Sequence, residues 1–407
     1  FLRKTLEQKH PRLYEYTPKE KFDLFFDSLY QKIENPLAER EFHFFLLPVI
    51  NMVHCSHTKL MSSMYLLGHM NDYIKVPPFQ AYFTPEKVYI RANFSNDTTV
   101  KAGAELVSVN DVPVEEIRKS FLVRMTREGN NLTFIYNRMN AAAWPGNGYV
   151  GLFPGLCDYP SIDSYKLELI NPGAKAKKVV KLTSLNYNSY PPVILSSRKK
   201  LEFRMEDNYL AGILTISSFS HPYERYQEFI DSVFAQLEAC KVPNLIIDLR
   251  GNLGGIPQET VMLLSYILRD TFTYFKEGNG YDDYKIPIPV LPNRFKGRVY
   301  MLIDGACRSS TGHFLAIAKY HGIATMIGEE ACASYSCNDN GAPYTLPHSK
   351  LILQCSGSTY SVVVRGLRRG NGIIPDYTVI PAIQDIVNEK DVVLQFALEK
   401  TRNSLKQ

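Results

Sequence analysis

Two apolar segments, each running straight into small and polar residues, constrain this chain more than any other feature. One is Asn244-Leu-Ile-Ile-Asp-Leu-Arg-Gly-Asn-Leu-Gly-Gly255 and the other is Val299-Tyr-Met-Leu-Ile-Asp-Gly-Ala-Cys-Arg-Ser-Ser310. A continuous run such as Leu245, Ile246 and Ile247 is expected of a strand buried on both faces. Gly251, Gly254 and Gly255 then permit a tight turn whose backbone N–H groups point outward. The second segment has the same shape: strand, Gly305, then Ser309 and Ser310 opening a helix. A serine at a strand-to-helix turn, beside a glycine-rich turn from a neighbouring strand, fits a nucleophile next to an oxyanion hole. An ordinary α/β sheet would also place Gly and Ser at its turns, so this stretch alone leaves both readings open.

Composition narrows the classes. The 407 residues leave room for two or three domains. A content of 45% hydrophobic and 21% charged residues belongs to a folded protein, not a disordered or fibrous one. The net charge of +5 comes with Lys and Arg interleaved among Asp and Glu, which argues against nucleic acid as the main partner. No apolar run reaches the roughly 18 residues needed to span a bilayer. The chain opens at Phe1 rather than Met, so an upstream signal segment is expected to have been removed. The cysteines Cys55, Cys157, Cys240, Cys307, Cys332, Cys337 and Cys355 match no zinc or redox spacing. They read as small hydrophobes or free thiols, with one local bridge among Cys332, Cys337 and Cys355 open in an oxidising compartment.

Taken in order, Thr17-Pro-Lys-Glu20 starts a helix, with Thr17 as cap and Phe22, Phe25, Phe26, Leu29 and Ile33 on its buried face. A second helix over about 38–53 contains Pro48 and leads into His54-Cys-Ser-His-Thr58. The two histidines have no carboxylate or further histidine beside them in the sequence, and no metal is expected there. Period-two patterning then begins: a strand over 87–92, a strand, an Asn-Asp turn and a short strand over 103–114, and a helix from Glu115 to about Arg124. The stretch 140–161 is aperiodic and reads as a long loop, either a lid over substrate or an inert insertion. From near Tyr190, strands alternate with helices, which implies a largely parallel sheet. Asp391 is placed to cap a final amphipathic helix.

Three segments coincide with a known family. Asp248-Leu-Arg-Gly-Asn-Leu-Gly-Gly255 resembles the D-L-R-x-N-x-G-G strand of the C-terminal-processing, or tail-specific, serine peptidases. Ser309-Ser310 with Gly328-Glu329 resembles their nucleophile segment and the strand after it. Gly372-Ile-Ile-Pro-Asp376 with Lys390-Asp391 resembles their closing signature. Upstream, 103–129 resembles their PDZ-like domain, and the helices ending in Ser56-His57-Thr58 resemble the tricorn-like branch.

The resemblance implies an α/β (α+β multidomain) chain in three parts. These are an N-terminal helical region over 1–73, a PDZ-like domain over 74–189, and a crotonase-like ββα superhelical catalytic domain over 190–407. It implies a serine endopeptidase acting on protein or peptide substrates, without metal or cofactor, in a secreted or periplasmic (cell-envelope) setting. Ser309 would be the nucleophile, His57 the base and then the acid, and Ser56 an auxiliary polar group. The N–H groups of Ser310 and of Gly254 or Gly255 would hold the oxyanion. The lysine base of the other branch falls on Ser334 here, so a Ser-Lys dyad is not expected. His54 is the alternative base, and Ser310 and Ser336 are alternative polar participants. The glutamate of tricorn-like enzymes falls on Arg369, which leaves the group orienting His57 unidentified. The rival readings are a catalytically inactive relative binding peptides or apolar ligands, and an enzyme acting on acyl thioesters.

Overall fold

The computed structural model describes residues 1–73, 75–140, 163–186, 189, 201–206, 208 and 210–403. All but Asn140 of the loop expected at 140–161 lies outside these, as do Cys157 and the expected start of the third region at Tyr190.

The first helices are α1 (Leu2–Lys9), α2 (Lys19–Gln31) and α3 (Glu39–Met52). Thr17 does not cap α2: Pro18 takes the cap position, and the Thr17 hydroxyl donates to the Met52 carbonyl at 2.7 Å, tying the two helices together. After α3 come a three-residue strand, β1 (Lys59–Met61), and α4 (Met64–Tyr73), neither expected from the sequence. An antiparallel sheet follows in the order β2 (Phe79–Phe83), β3 (Val88–Asn93), β4 (Glu105–Val109), then β6 (Ser164–Ile170) and β7 (Lys178–Thr183), with the short β5 (Val112–Pro113) pairing β4. Asn110 and Asp111 both have positive φ, the signature of a two-residue hairpin turn. The helices α5 (Val114–Leu122) and α6 (Thr133–Asn140) lie between β5 and β6. One apolar core runs from Leu2 and Leu6 through Val49 and Ile50 to Phe79, Phe121 and Leu167.

The second half is built on a six-stranded sheet in the order β8 (Leu201–Glu206), β9 (Ala211–Ile216), β10 (Asn244–Asp248), β12 (Arg298–Ile303), β13 (Ala324–Gly328) and β18 (Tyr377–Thr378). Only β8 runs antiparallel to its neighbour. The central strands are buried on both faces, as their unbroken apolar runs require. Leu245 and Ile247 pack with α7 (Tyr223–Ala239), α8 (Pro257–Ile267) and α9 (Ser310–Tyr320), whereas Ile246 packs with α10 (Val392–Asn403) on the other face. Two small antiparallel sheets lie outside this one. In the first, β17 (Ser358–Val362) sits between β11 (Phe275–Glu277) and β14 (Ser336–Asp339); in the second, β16 (Ile352–Cys355) sits between β1 and β15 (Ala342–Thr345).

The charges of the Asp-Leu-Arg and Lys-Asp segments have a structural task. The Arg250 guanidinium is gripped by Asp248 at 2.7 and 2.9 Å and by Asp391 at 2.7 and 2.8 Å. Asp391 also accepts from the Leu394 N–H at 3.0 Å and so caps α10, as expected. This clamp joins the turn after β10 to the last helix. Because Arg250 and Asp248 side chains are each only 8% exposed, Arg250→Leu strands a buried carboxylate. We expect it to cost about 3–5 kcal/mol, read as a lowered urea midpoint at unchanged denaturant slope.

Candidate active site

Ser309 lies at the cap position of α9 with φ 54° and ψ −132°. A non-glycine residue held there costs on the order of 1–3 kcal/mol and persists only where its surroundings enforce it. The enforcement comes from the turn after β10. A Cβ on Gly254 would fall 2.8 Å from the Ser309 Cβ, and one on Gly255 1.8 Å from the Phe219 carbonyl oxygen, so neither position admits a side chain. Asn252 braces the turn from within, accepting from the Gly254 N–H at 2.9 Å and the Thr311 hydroxyl at 2.8 Å while donating to the Ile216 carbonyl at 2.9 Å. The result is a serine projected from a sharp strand-to-helix corner, in front of a helix N-terminus. Its Oγ makes no hydrogen bond among the described residues.

The oxyanion donors differ from expectation in one respect. The Ser310 N–H, in the first turn of α9, has no partner among the described residues, as an anion donor requires. The N–H groups of Gly254 and Gly255 are engaged, the first by Asn252 and the second by the Ser310 hydroxyl at 2.7 Å. The Ser310 hydroxyl in turn donates to the Gly255 carbonyl at 2.9 Å, so this side chain fastens α9 to the glycine turn.

His57 reaches this corner from the far end of the chain. The strand β1 that follows it pairs with β16, Lys59 opposite Gln354, and the Ser356 N–H donates to the Thr58 hydroxyl at 3.2 Å. Arg308, next to the nucleophile, donates to the Ser56 carbonyl at 3.0 Å, next to the histidine. The ring is 12% exposed; its Nε2 lies 3.5 Å from Asp339 Oδ2 and its Nδ1 lies 3.4 Å from the Ser56 hydroxyl. No hydrogen bond joins His57 to Ser309 in this arrangement. Burial, with Arg308 and Lys59 nearby, holds the imidazole well below its ordinary pKa and therefore neutral. His54 is placed otherwise. It stacks on Tyr16, its Nε2 meets Arg127, and burial brings its pKa down to about 4.

The buried carboxylate nearest this pair along the hydrogen bonds is Glu128. Its carboxylate accepts from the Ser56 hydroxyl at 2.6 Å and from the Ser56 N–H at 2.9 Å. A chain of contacts thus runs from His57 Nδ1 through Ser56 Oγ to Glu128. The Arg-Glu-Gly-Asn turn at 127–130 carries no helical or strand pattern, so nothing in the sequence marks it. The fold brings it to the place where the glutamate was expected: the Asn130 N–H donates to the Gly370 carbonyl at 2.7 Å, and Glu128 and Arg369 line one small cavity. Arg369 itself is paired with Glu15. Ser336 takes hydrogen bonds from Ser361 at 2.9 Å and Arg369 at 3.4 Å, and Ser334 Oγ is buried without a partner among the described residues.

Cys55 Sγ, a His57 ring nitrogen and a Glu128 carboxylate oxygen lie within 4.8 Å of one another, the only such trio among the described residues. The surroundings oppose a divalent ion, since burial pushes the Cys55 thiol up to about 11 and Arg308 stands beside the other two groups. The six described cysteines, including Cys332, Cys337 and Cys355, are free thiols, so the local bridge does not form.

Residues 211–379 match the model of peptidase family S41. No curated protein sequence matches the chain. The structure of mature CPAF complexed with lactacystin aligns at TM-score 0.68 and 12% identity, over 100% of this chain and 97% of that one. Mature CPAF aligns at TM-score 0.62 and 13% identity, over 96% and 93%. At these identities the likeness is one of fold. The photosystem II D1 C-terminal processing protease, at TM-score 0.46 and 12% identity over 95% and 94%, is too distant to carry weight.

Burial pushes the Glu128 carboxyl up to about 7 from 4.5, against the pull of its two Ser56 hydrogen bonds and of Arg308. Between those values the folded protein keeps a proton that the unfolded chain releases. Stability is therefore full below about 4.5 and falls as pH rises towards 7. We expect wild type to lose on the order of 2–3 kcal/mol more across that window than Glu128→Gln, compared through urea midpoints at pH 4.5 and 7.5.

Proposed function

We propose that this chain is a serine peptidase of the S41 kind acting on protein substrates, with Ser309 as its nucleophile and His57 as its base; the match of residues 211–379 to that family supports the reading. The observation that carries the assignment is the backbone of Ser309: a serine with φ 54° at a strand-to-helix corner, backed by a glycine that its own Cβ would otherwise strike. Such strain is found where a side chain must be projected towards a reacting group.

Ser309 Oγ attacks the scissile carbonyl as His57 takes its proton. The Ser310 N–H and the N-terminal end of α9 stabilise the tetrahedral oxyanion. His57 returns the proton to the leaving amine, and water then hydrolyses the acyl-enzyme by the same route in reverse. To act on Ser309 the ring leaves Asp339, in keeping with the general tendency of catalytic hydrogen bonds to tighten only once substrate is bound. Glu128 acts as a positioning residue. Through Ser56 it fixes the ring and stabilises the imidazolium that forms, as a buried acid does in a catalytic triad.

The domain reading remains part of the proposal: a helical region over 1–73, a PDZ-like domain over 74–189 that contacts the substrate chain, and a catalytic domain from 190 onward. The antiparallel sheet with α5 beside it supports the middle assignment. We place the enzyme outside the cytoplasm on the family resemblance. Among the described residues no helix is long and apolar enough to cross a membrane.

A fluorophosphonate probe should label the folded protein at Ser309, and labelling should vanish in Ser309→Ala. His57→Ala should lower kcat on a protein substrate on the order of 10⁴-fold or more. Folded wild-type protein that neither labels nor hydrolyses would leave the inactive, peptide-binding reading in its place.

A further inference from the structure

Three cations flank the reacting pair: Arg308 directly precedes Ser309, Lys59 follows His57 by two residues on a strand, and Arg138 lies one helical turn beyond Phe134, over which Arg308 sits. Arg308 is held by the Ser56 carbonyl and lies over the Phe134 ring at 5.6 Å, with its Nε buried and without a partner among the described residues. The side chain of Lys59, two residues beyond His57 on β1, has neither a hydrogen bond nor an ion pair among the described residues. The same is true of Arg138 on α6. Both are half-buried. Two of them feel their neighbours: burial first, then Arg308 and Arg138, brings Lys59 down to about 8, and burial with Arg308 brings Arg138 down to about 10.

The anions facing them do not balance this charge. Asp339, at the end of β14, is 44% exposed and lies beside His57. Glu128 is held by Ser56 and is pushed towards its neutral form. Three positive groups thus face one exposed carboxylate and a half-neutralised one. Leaving two half-buried cations unpaired is costly in the free protein, and a ligand that pairs them removes that cost. The same field repels a metal ion and attracts an anion.

We propose that Lys59 and Arg138, backed by Arg308, form a subsite for an acidic side chain of the substrate next to the scissile bond. The enzyme then cleaves beside Asp or Glu. A carboxylate placed there gains charge-assisted hydrogen bonds from both cations, and its amide isostere leaves them unpaired. Discrimination follows from that difference. The inference rests on Ser309 and His57 as the reacting pair.

The test uses internally quenched peptides blocked at both ends, identical except for Glu, Gln or Lys at each position flanking the cleaved bond. We expect kcat/KM for the best Glu peptide to exceed its Gln counterpart about 10–10²-fold. The ratio should collapse to within about threefold in Lys59→Met and in Arg138→Met, and should be partly restored in Arg138→Lys. Equal rates for Glu and Gln in wild type would overturn the subsite and leave the peptidase assignment intact. A set with free C-termini and no acidic side chains separates the other source of a carboxylate: cleavage confined to those peptides would also overturn it. Binding is read separately by fluorescence anisotropy on Ser309→Ala, which does not depend on turnover. Tighter binding of the Glu peptide there supports the subsite, and equal affinity for Glu and Gln overturns it even if the wild type proves inactive.

Discussion

The site depends on one seam. Residues 55–61 are joined along their length to 352–356: Lys59 pairs with Gln354 and Met61 with Ile352, the Thr58 hydroxyl meets Ser356, and the Cys55 thiol lies 3.3 Å from the Ser356 hydroxyl. Without it, His57 would hang from the end of a helix with nothing to direct it towards a serine some 250 residues away in the chain. The seam is short, and a three-residue strand alone is weak. It is reinforced by burial of Thr58 and Ser356, both fully inaccessible, whose hydroxyls would be left unsatisfied if the strands parted. The Arg308–Ser56 hydrogen bond then links the seam to the nucleophile turn directly. Position of the base is thus a property of tertiary pairing between the two ends of the chain.

The electrostatics of that junction work in two directions. Burial first, and then the cations beside it, keep the His57 ring neutral, which suits it to accept a proton. They also disfavour the imidazolium that accepting the proton creates. Glu128 offsets the second effect, because its carboxylate, reached through Ser56, gains as positive charge develops on the ring. An incoming substrate carboxylate would act in the same sense from the other side. The acid that orients the base and the acid that the cations invite therefore share one role. Together they make a strongly cationic corner tolerate one more positive charge in the transition state.

Much of the fold was legible. The runs at 244–248 and 299–303 read as strands buried on both faces because their apolar residues do not alternate, and Asp391 read as a cap because it directly precedes an amphipathic run. The Asn110-Asp111 turn was legible for the same local reason. Thr17 shows the limit of such reasoning, since its hydroxyl found a better partner in the Met52 carbonyl than in its own helix. Nothing local marks Glu128, Lys59 or Arg138. Each lies in an unremarkable surface-like pattern, and each becomes part of the site only when elements from distant parts of the chain meet. Ser310 adds a contact that no local pattern marks, since its hydroxyl fastens the glycine turn.

Arg369 stands where the sequence resemblance puts a glutamate, and the surrounding chain meets its charge locally. A tricorn-like arrangement asks for a carboxylate just before the Gly372 turn, and an arginine there would place positive charge beside the base. Two changes remove the problem. Glu15, from the segment between α1 and α2, pairs with Arg369 and neutralises it. The turn at 127–130 packs against Gly370 closely enough that a Cβ on Gly129 would fall 2.4 Å from the Gly370 carbonyl oxygen, and this holds Glu128 where it accepts from Ser56. On the proposed mechanism the site needs a buried acid bonded to Ser56, and the chain segment that supplies it is secondary. Arg369 is thus neutralised by Glu15 while a path of polar contacts runs from His57 through Ser56 to Glu128.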